Sequence, residues 1–482
     1  DPNQLPPIGA GRPFVDLVRH LNKGIQEFPK VGKGFGQLTV TMRQLSKDGT
    51  PRGDTELSKW YTGDSENLDD SIFIKLQSGN LGDHVSFKSW STPEELEQKV
   101  FETIAEETCM EDIDDIQGFN ISVGGTVNAG WMNFGSDPKK IEDWQILSAY
   151  RNDAAIGTAT INRYVHEKYR FQETMALRDC TVRGTRNLLG TDGIVFGDKV
   201  INIRNQSRKC YNPRTKYVSE GYVANGEVGI VERIWQTPKA KRNTHQVVFS
   251  SQPDCSYNWL SMVSDDGDAD LELAYALTVH KSQGSEFGKA ILVLGEPGGL
   301  LSKELLYTAI TRQKDKLVIL YNDAAYRLRD YASVSCSEVA RRFTCLFEAP
   351  NIVEYKQKYY EQSLIHRTLK GDLVRSKSEV IIANMLYEAG IEYEYEKELD
   401  LGEDGIRIPD FTIEDAESGL CFYWEHCGML GDAAYNKHWQ EKQALYKKHG
   451  IVEGENLIVS RDSLNGGIDS AEIKRLIDAY LI

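Results

Sequence analysis

Asp410, behind Pro409, and Glu425, between Trp424 and His426, carry the hard oxygens that suit Mg2+ or Mn2+. A divalent ion held by such a pair can activate water and neutralise charge on a phosphorus centre. Glu379 can orient a ligand water or hold a second ion, and Lys442 is a lysine able to polarise the nucleophile. Each of these residues has a plainer reading. Ser376 and Glu379 have the spacing of a helix capping box. Asp410 can be a turn residue, and Glu425 a buried salt-bridge partner. His426 with Cys421 and Cys427 could join a metal site, although buried thiols are the favoured reading of those cysteines. Trp424, Tyr435 and Trp439 read as core rather than as platforms for bases.

A second set lies in Tyr275–Phe287, YALTVHKSQGSEF, and in Leu306–Arg312, LYTAITR. Thr278, His280 and Lys281 can donate to nucleic-acid phosphates, Gly284 lets a backbone approach closely, and Glu286 can accept from a ribose hydroxyl. Arg312 offers a fixed cation of the kind that stabilises charge on a transferred phosphoryl group. A surface arginine alone implies nothing of the sort. No GxxxxGK[ST] string occurs anywhere in the 482 residues, so the usual phosphate cradle and its lysine are missing from this sequence.

These residues need elements to position them. Residues 1–14 read as a Pro- and Gly-rich loop, followed by a helical pattern from Phe14. Gln37–Met42 has strand composition, Pro93 opens a helix, and 144–149, WQILSA, reads as a buried strand. From 196 to 235 short strands alternate with turns, and Asn225-Gly226 predicts a hairpin between Tyr222-Val223 and Val228–Val231. Strands at 291–294 and 316–320 flank a helix predicted over 302–312. Residues 351–372 suggest a linker or connecting helix, and the last 110 residues another α/β unit.

Length fits about three or four domains. With 40% hydrophobic and 27% charged residues the composition is globular, and no apolar run is long enough to span a membrane. The eight cysteines form no CxxC pair, which suggests reduced thiols in a cytoplasmic protein. A net charge of −16 argues against coating nucleic acid by bulk charge, but leaves room for a narrow basic channel.

The strings quoted above resemble superfamily 1 helicases of the RecD-like branch. Asp1–Gly9, DPNQLPPIG, resembles motif III, in which Gln4 would sense the γ-phosphate. Tyr275–Phe287 resembles motif V, with Thr278, His280 and Lys281 on DNA and Gln283, Gly284 and Glu286 on ATP. Leu306–Arg312 resembles motif VI, with Arg312 as arginine finger. Leu38–Gln44, LTVTMRQ, resembles the segment whose arginine, here Arg43, reaches the γ-phosphate.

Residues 366–482 resemble the PD-(D/E)xK nuclease fold. There Asp410 and Glu425 on adjacent strands would hold the metal and Glu379 would sit on a preceding helix. Cys427 occupies the usual lysine position, and Lys442 would replace that lysine from the following helix, His426 being the less favoured substitute.

The resemblances imply an α/β protein with RecA-like motor domains, the first truncated, an inserted SH3-like β-barrel and a restriction-endonuclease-like domain. The expected boundaries are 1–135 for the first motor remainder, 136–195 and 245–350 for the second motor, 196–244 for the barrel, 351–365 for a linker and 366–482 for the nuclease. The implied cofactors are ATP and Mg2+ or Mn2+. The implied partners are single-stranded or forked DNA and, if this is not a fragment of a longer helicase, a chain carrying the missing phosphate loop and acidic pair. RecD-like relatives move 5′ to 3′. Two other readings stay open: a non-catalytic DNA-binding module, and one subunit of a split helicase.

Overall fold

A computed structural model describes residues 1–7, 9, 11–23, 25, 31–32, 34–37, 52–62, 71–179, 188–236, 243–260, 270–295, 301–332, 336–342, 347, 352–355, 358–361, 366–374, 377–414, 420–427, 433–461 and 468–481. The chain forms two compact units. One comprises Asp1–Gly82, Leu301–Tyr307 and Ala325–Ile482, and the other Asp83–Leu300 and Thr308–Ala324. Among the described residues no helix is long and apolar enough to cross a membrane.

The unit from Asp83 is built on a five-stranded parallel sheet in the order Ala276–Thr278, Trp144–Ser148, Phe287–Leu294, Gln313–Tyr321, Val85–Ser89. Its central strands read as unbroken apolar runs, as parallel strands covered on both faces must. Ile291, Leu292, Val293, Leu317, Val318 and Ile319 are all fully buried. The edge strand Val85–Ser89 was expected within the first motor remainder, 1–135. It instead pairs Val85 with Leu317 through Ser89 with Tyr321, which carries residues from 83 onward into this unit. The helix Pro93–Thr108 follows, with Pro93 at its first turn and the Glu95 amide donating to Thr92 Oγ1 at 3.2 Å. Glu107 closes it in an ion-paired cluster with Lys289 and Lys316. Burial pushes that carboxyl up, but the two ammonium groups outweigh it and hold it below its usual range.

A seven-stranded antiparallel sheet is inserted between the strands of this layer. Its order is Leu271–Leu273, Lys199–Asn202, Val228–Trp235, Thr244–Phe249, Ser256–Leu260, Gln206–Tyr211, Val218–Val223. The boundary expected at 244 is therefore too early: the ladder continues through three more strands to Leu273. The predicted hairpin at Asn225-Gly226 is not formed either. The Gly226 amide donates to the Asn202 carbonyl, and the Asn202 carboxamide donates to the Ala224 carbonyl, both at 2.8 Å. The turn thus docks on Lys199–Asn202, and Val228–Trp235 pairs there rather than with Val218–Val223.

The expectation of reduced thiols fails at one pair, because Cys210 and Cys255 are disulfide-bonded. The ladder sets Tyr257 opposite Cys210, which brings the two cysteine Cα atoms within 5.4 Å.

In the other unit, the helix Pro13–Asn22 follows the N-terminal loop. Where a linker or connecting helix was expected, Ile352–Tyr355 pairs antiparallel with Lys358–Glu361. The C-terminal part holds a four-stranded mixed sheet in the order Glu394–Tyr395, Phe411–Glu414, Cys421–Cys427, Leu457–Arg461. Strand alternation splits its side chains between two cores. Phe411, Ile413, Trp424 and Ile458 pack with the helices Lys377–Glu388 and Ser470–Tyr480. Tyr423, Cys427, Leu457 and Val459 pack with Trp439 and Tyr446 of the helix Ala433–Lys448.

Candidate functional site

In the C-terminal sheet, Glu425 shares the strand parity of Tyr423 and Cys427, so it faces the helix Ala433–Lys448. Lys442 and Tyr446 stand four apart on that helix and project together. Lys442 Nζ lies 3.0 Å from Glu425 Oε1 and donates to Oε2 at 3.1 Å, while the Tyr446 hydroxyl donates to Oε1 at 2.8 Å. At 5% exposure this carboxyl group is anchored by partners that replace water. Asp410 immediately precedes the strand Phe411–Glu414. The ladder ends at Phe411 opposite Trp424, so one further step sets Asp410 across from Glu425 on the same face. Asp410 Oδ2 accepts the His426 amide at 2.8 Å, which ties it to the strand carrying Glu425.

Glu379 lies in the first turn of Lys377–Glu388, where its Oε2 accepts the Tyr395 hydroxyl at 2.6 Å. Its helix packs on the opposite face of the sheet from Ala433–Lys448. His426 Nδ1 is spent on Ser460 Oγ at 2.9 Å, which Trp424 Nε1 also reaches. Cys427, at the usual lysine position, is buried. Ser376 and the Tyr435 side chain lie outside the described residues.

Two opposed carboxylates fit Mg2+ or Mn2+ better than Zn2+, because Mg2+ commonly takes one or two carboxylates and fills its octahedron with water and substrate phosphate. Among the described residues no group of three or more His, Cys, Asp or Glu side chains forms a ready cage. Sequence reasoning had not singled out Tyr446, although its place one turn after Lys442 was a readable signal.

The second constellation belongs to the unit built on the parallel sheet. Thr278 ends the strand Ala276–Thr278, and residues 279–284 form turns held by local bonds. The Val279 amide donates to the Ser148 carbonyl at 2.9 Å, the Ser282 amide to Thr278 O at 3.0 Å and the Lys281 amide to Thr278 Oγ1 at 3.3 Å. Gly284 has φ +83° with open space where a Cβ would point, so glycine is needed for the conformation, and the bare backbone there is accessible.

Lys281 Nζ pairs with Glu272 at 2.7 Å, and Arg151 grips the same carboxylate at 2.8 and 3.0 Å. Burial raises the Glu272 carboxyl, and these two cations overcome it to leave it low. A phosphate at Lys281 would share its ammonium with that carboxylate. Glu286 lies 3.7 Å from Lys314.

Arg312 is 6% exposed. Its Nη1 donates to the Ser285 carbonyl at 3.2 Å and its Nε to Thr308 O at 3.1 Å, so it braces the loop that ends at Phe287. His280 and Gln283 lie on the turns, half-buried and exposed respectively.

Gln4 sits half-buried in the turn Asp1–Gln4, in the other unit. That turn meets the helix Lys303–Ile310 where the Tyr307 hydroxyl donates to Asp1 Oδ2 at 2.8 Å. Arg43 lies outside the described residues, as does the strand predicted over Gln37–Met42 from Leu38 onward.

Residues 273–320 match the UvrD-like helicase C-terminal domain. An uncharacterized protein of Methanocaldococcus jannaschii is 30% identical over 467 residues, which cover 94% of this chain and 36% of that protein. The ATP-dependent RecD2 DNA helicase of Deinococcus radiodurans is 44% identical over 59 residues, 12% of this chain and 8% of that protein. The crystal structure of Bacteroides Pif1 bound to ssDNA aligns with 52% of this chain and 55% of its own at 15% identity, with a TM-score of 0.20, too low to bear on the fold. The chain thus spans about a third of the length of its Methanocaldococcus jannaschii relative. Its region around the His280 loop is similar to superfamily 1 helicases.

Proposed function

We propose that these residues form part of a RecD-like DNA helicase joined to a metal-dependent deoxyribonuclease. The observation that carries the nuclease is the buried Glu425 carboxylate, held by Lys442 from the next helix, with Asp410 opposite it in register. Asp410 and Glu425 would hold Mg2+ or Mn2+, which when bound supplies an activated water and charge neutralisation at phosphorus. Lys442, fixed against Glu425, orients and polarises the attacking water. Tyr446 keeps Glu425 from turning away, and the His426 amide holds one Asp410 oxygen. Glu379 bonds Tyr395 on the other face of the sheet and is given no role at this pair.

On the motor side, Thr278, His280 and Lys281 are assigned to DNA phosphates. Gln4, Arg43, Gln283, Gly284, Glu286 and Arg312 are assigned to the nucleotide, whose phosphate loop these residues do not include. ATP hydrolysis would drive movement on single-stranded or forked DNA.

Cleavage of labelled single-stranded, duplex and forked DNA in Mg2+ or Mn2+ tests this reading. Asp410→Ala and Lys442→Ala should each cut at least about a hundredfold more slowly than the parent. DNA binding without cutting by a folded parent chain would overturn the nuclease and leave a binding module.

A further inference from the structure

Residues Ala325–Ala332 form a 3-10 segment in the same unit as the C-terminal sheet. It is pinned by the Tyr61 hydroxyl, which donates to Leu328 O at 2.9 Å, and by the Ala325 amide, which donates to Gln77 Oε1 at 2.6 Å. From this rigid base Arg329 runs inward at 6% exposure, its guanidinium 5.8 Å from the Trp60 ring centroid. Its Nη2 meets Glu396 Oε1 at 3.2 Å, while Nε and Nη1 are buried with no hydrogen-bond partner among the described residues. The charge of Arg329 therefore leans heavily on Glu396.

Glu396 is itself held in an uncommon state. Its φ is +54°, a left-handed conformation that glycine or asparagine adopts far more readily. A residue is kept there when surrounding contacts over-determine it. The strand Glu394–Tyr395 stops at this point. The Glu396 amide makes the next rung, donating to the Asp410 carbonyl at 3.1 Å. Glu396 thus has its carboxylate on Arg329 and its amide on Asp410.

We propose that Arg329 and Glu396 are positioning residues for the divalent-cation site, a strut that fixes the main chain from which the Asp410 carboxylate projects. This rests on the assignment of Asp410 and Glu425 as metal ligands. Neither strut residue touches the cation. Each acts through the rung at Asp410, so its loss loosens one ligand while Glu425, Lys442 and Tyr446 stay in place. The neighbouring pair Arg327–Glu398, at 3.1 Å and with side chains 41% and 45% exposed, makes a control of the same charge type.

The test uses the full chain and Mn2+ alone as probe, with binding read by electron paramagnetic resonance and amide exchange read over 393–411 by mass spectrometry. Glu396→Asn suits the left-handed backbone and removes the ion pair, so a loss of binding cannot be laid to backbone strain. Arg329→Lys keeps the charge and loses the planar fork. Both variants should bind Mn2+ about tenfold or more weakly, the usual cost of a lost outer partner, and exchange the Glu396 amide faster. Glu398→Gln should match the parent in both. Parent-like Mn2+ binding in Glu396→Asn and Arg329→Lys overturns the strut alone. A parent chain that binds no Mn2+ overturns the metal ligands themselves, and with them the strut's role.

Discussion

Lys199 lies wholly out of solvent, with Nζ donating to the Trp144 carbonyl at 2.8 Å and 5.0 Å from that residue's ring centroid. Burial pulls its ammonium down to about 7, against the opposing pull of Glu142 and Asp143. The unfolded lysine keeps a pKa near its ordinary value, so between pH of about 7 and about 10 the unfolded chain binds more protons than the folded one. Stability due to this residue accordingly rises with pH across that window, and below it the full cost of burying a charge is present. Lys199→Met should therefore stabilise the chain more at pH 6 than at pH 9.5, by on the order of a few kcal/mol. Urea midpoints at the two pH values measure it, and equal shifts would sink the account.

The segment Ser337–Arg342 acts as a clasp between two stretches distant in sequence. Arg342 Nη1 donates to the carbonyls of Pro7, Gly9 and Gly11 at 2.7, 2.8 and 3.4 Å, and Arg12 Nη1 answers with a bond to Val339 O at 2.8 Å. Glu304, on the helix Lys303–Ile310, takes the Ser337 hydroxyl and the amides of Glu338 and Val339. The loop that carries Gln4 is thereby fixed at its far end. Arg342→Ala should cost about 1–3 kcal/mol locally, seen as faster amide exchange over residues 5–12 with the helix Lys377–Glu388 unchanged. Uniform exchange across both regions would remove the clasp. None of this was legible in sequence, because a guanidinium that collects three carbonyls leaves no periodicity behind. What was legible is local: the Pro93 helix, the apolar runs around Ile291 and Leu317, and the strings around His280 and Arg312. Placement by distant pairing was not. Val85–Ser89 joins a strand far along the chain, and Asn202 captures the turn at Gly226, so neither element's partner could be read from its neighbours. In the C-terminal site the residue types were readable, while the bond from Tyr446 to Glu425 and the left-handed Glu396 came only with the fold.

At the scale of the molecule, 482 residues carry the strings that would read and trigger nucleotide hydrolysis without the loop that would hold the phosphates. Under the proposed function the two activities must then separate in this chain. Metal-dependent cutting draws on Asp410, Glu425 and Lys442, all in one compact unit, and should be indifferent to added ATP. ATP hydrolysis should stay at background until a chain bearing a GxxxxGK[ST] loop and its acidic pair is supplied. Arg312 then decides whether the motor reading holds. Its Nε and Nη1 already serve the carbonyls of Thr308 and Ser285, but a guanidinium has five N–H donors in a planar fork and can brace a loop while addressing a phosphate. If it serves as the finger, Arg312→Ala should lower DNA-stimulated hydrolysis in the reconstituted pair by about a thousandfold or more. Arg312→Lys should rescue little, since an ammonium cannot hold both carbonyls and a phosphoryl oxygen in one plane. Steady-state ATPase assays with and without single-stranded DNA measure this. A loss of only a few-fold, with thermal stability lowered to match, would mean that Arg312 does no more than brace Ser285.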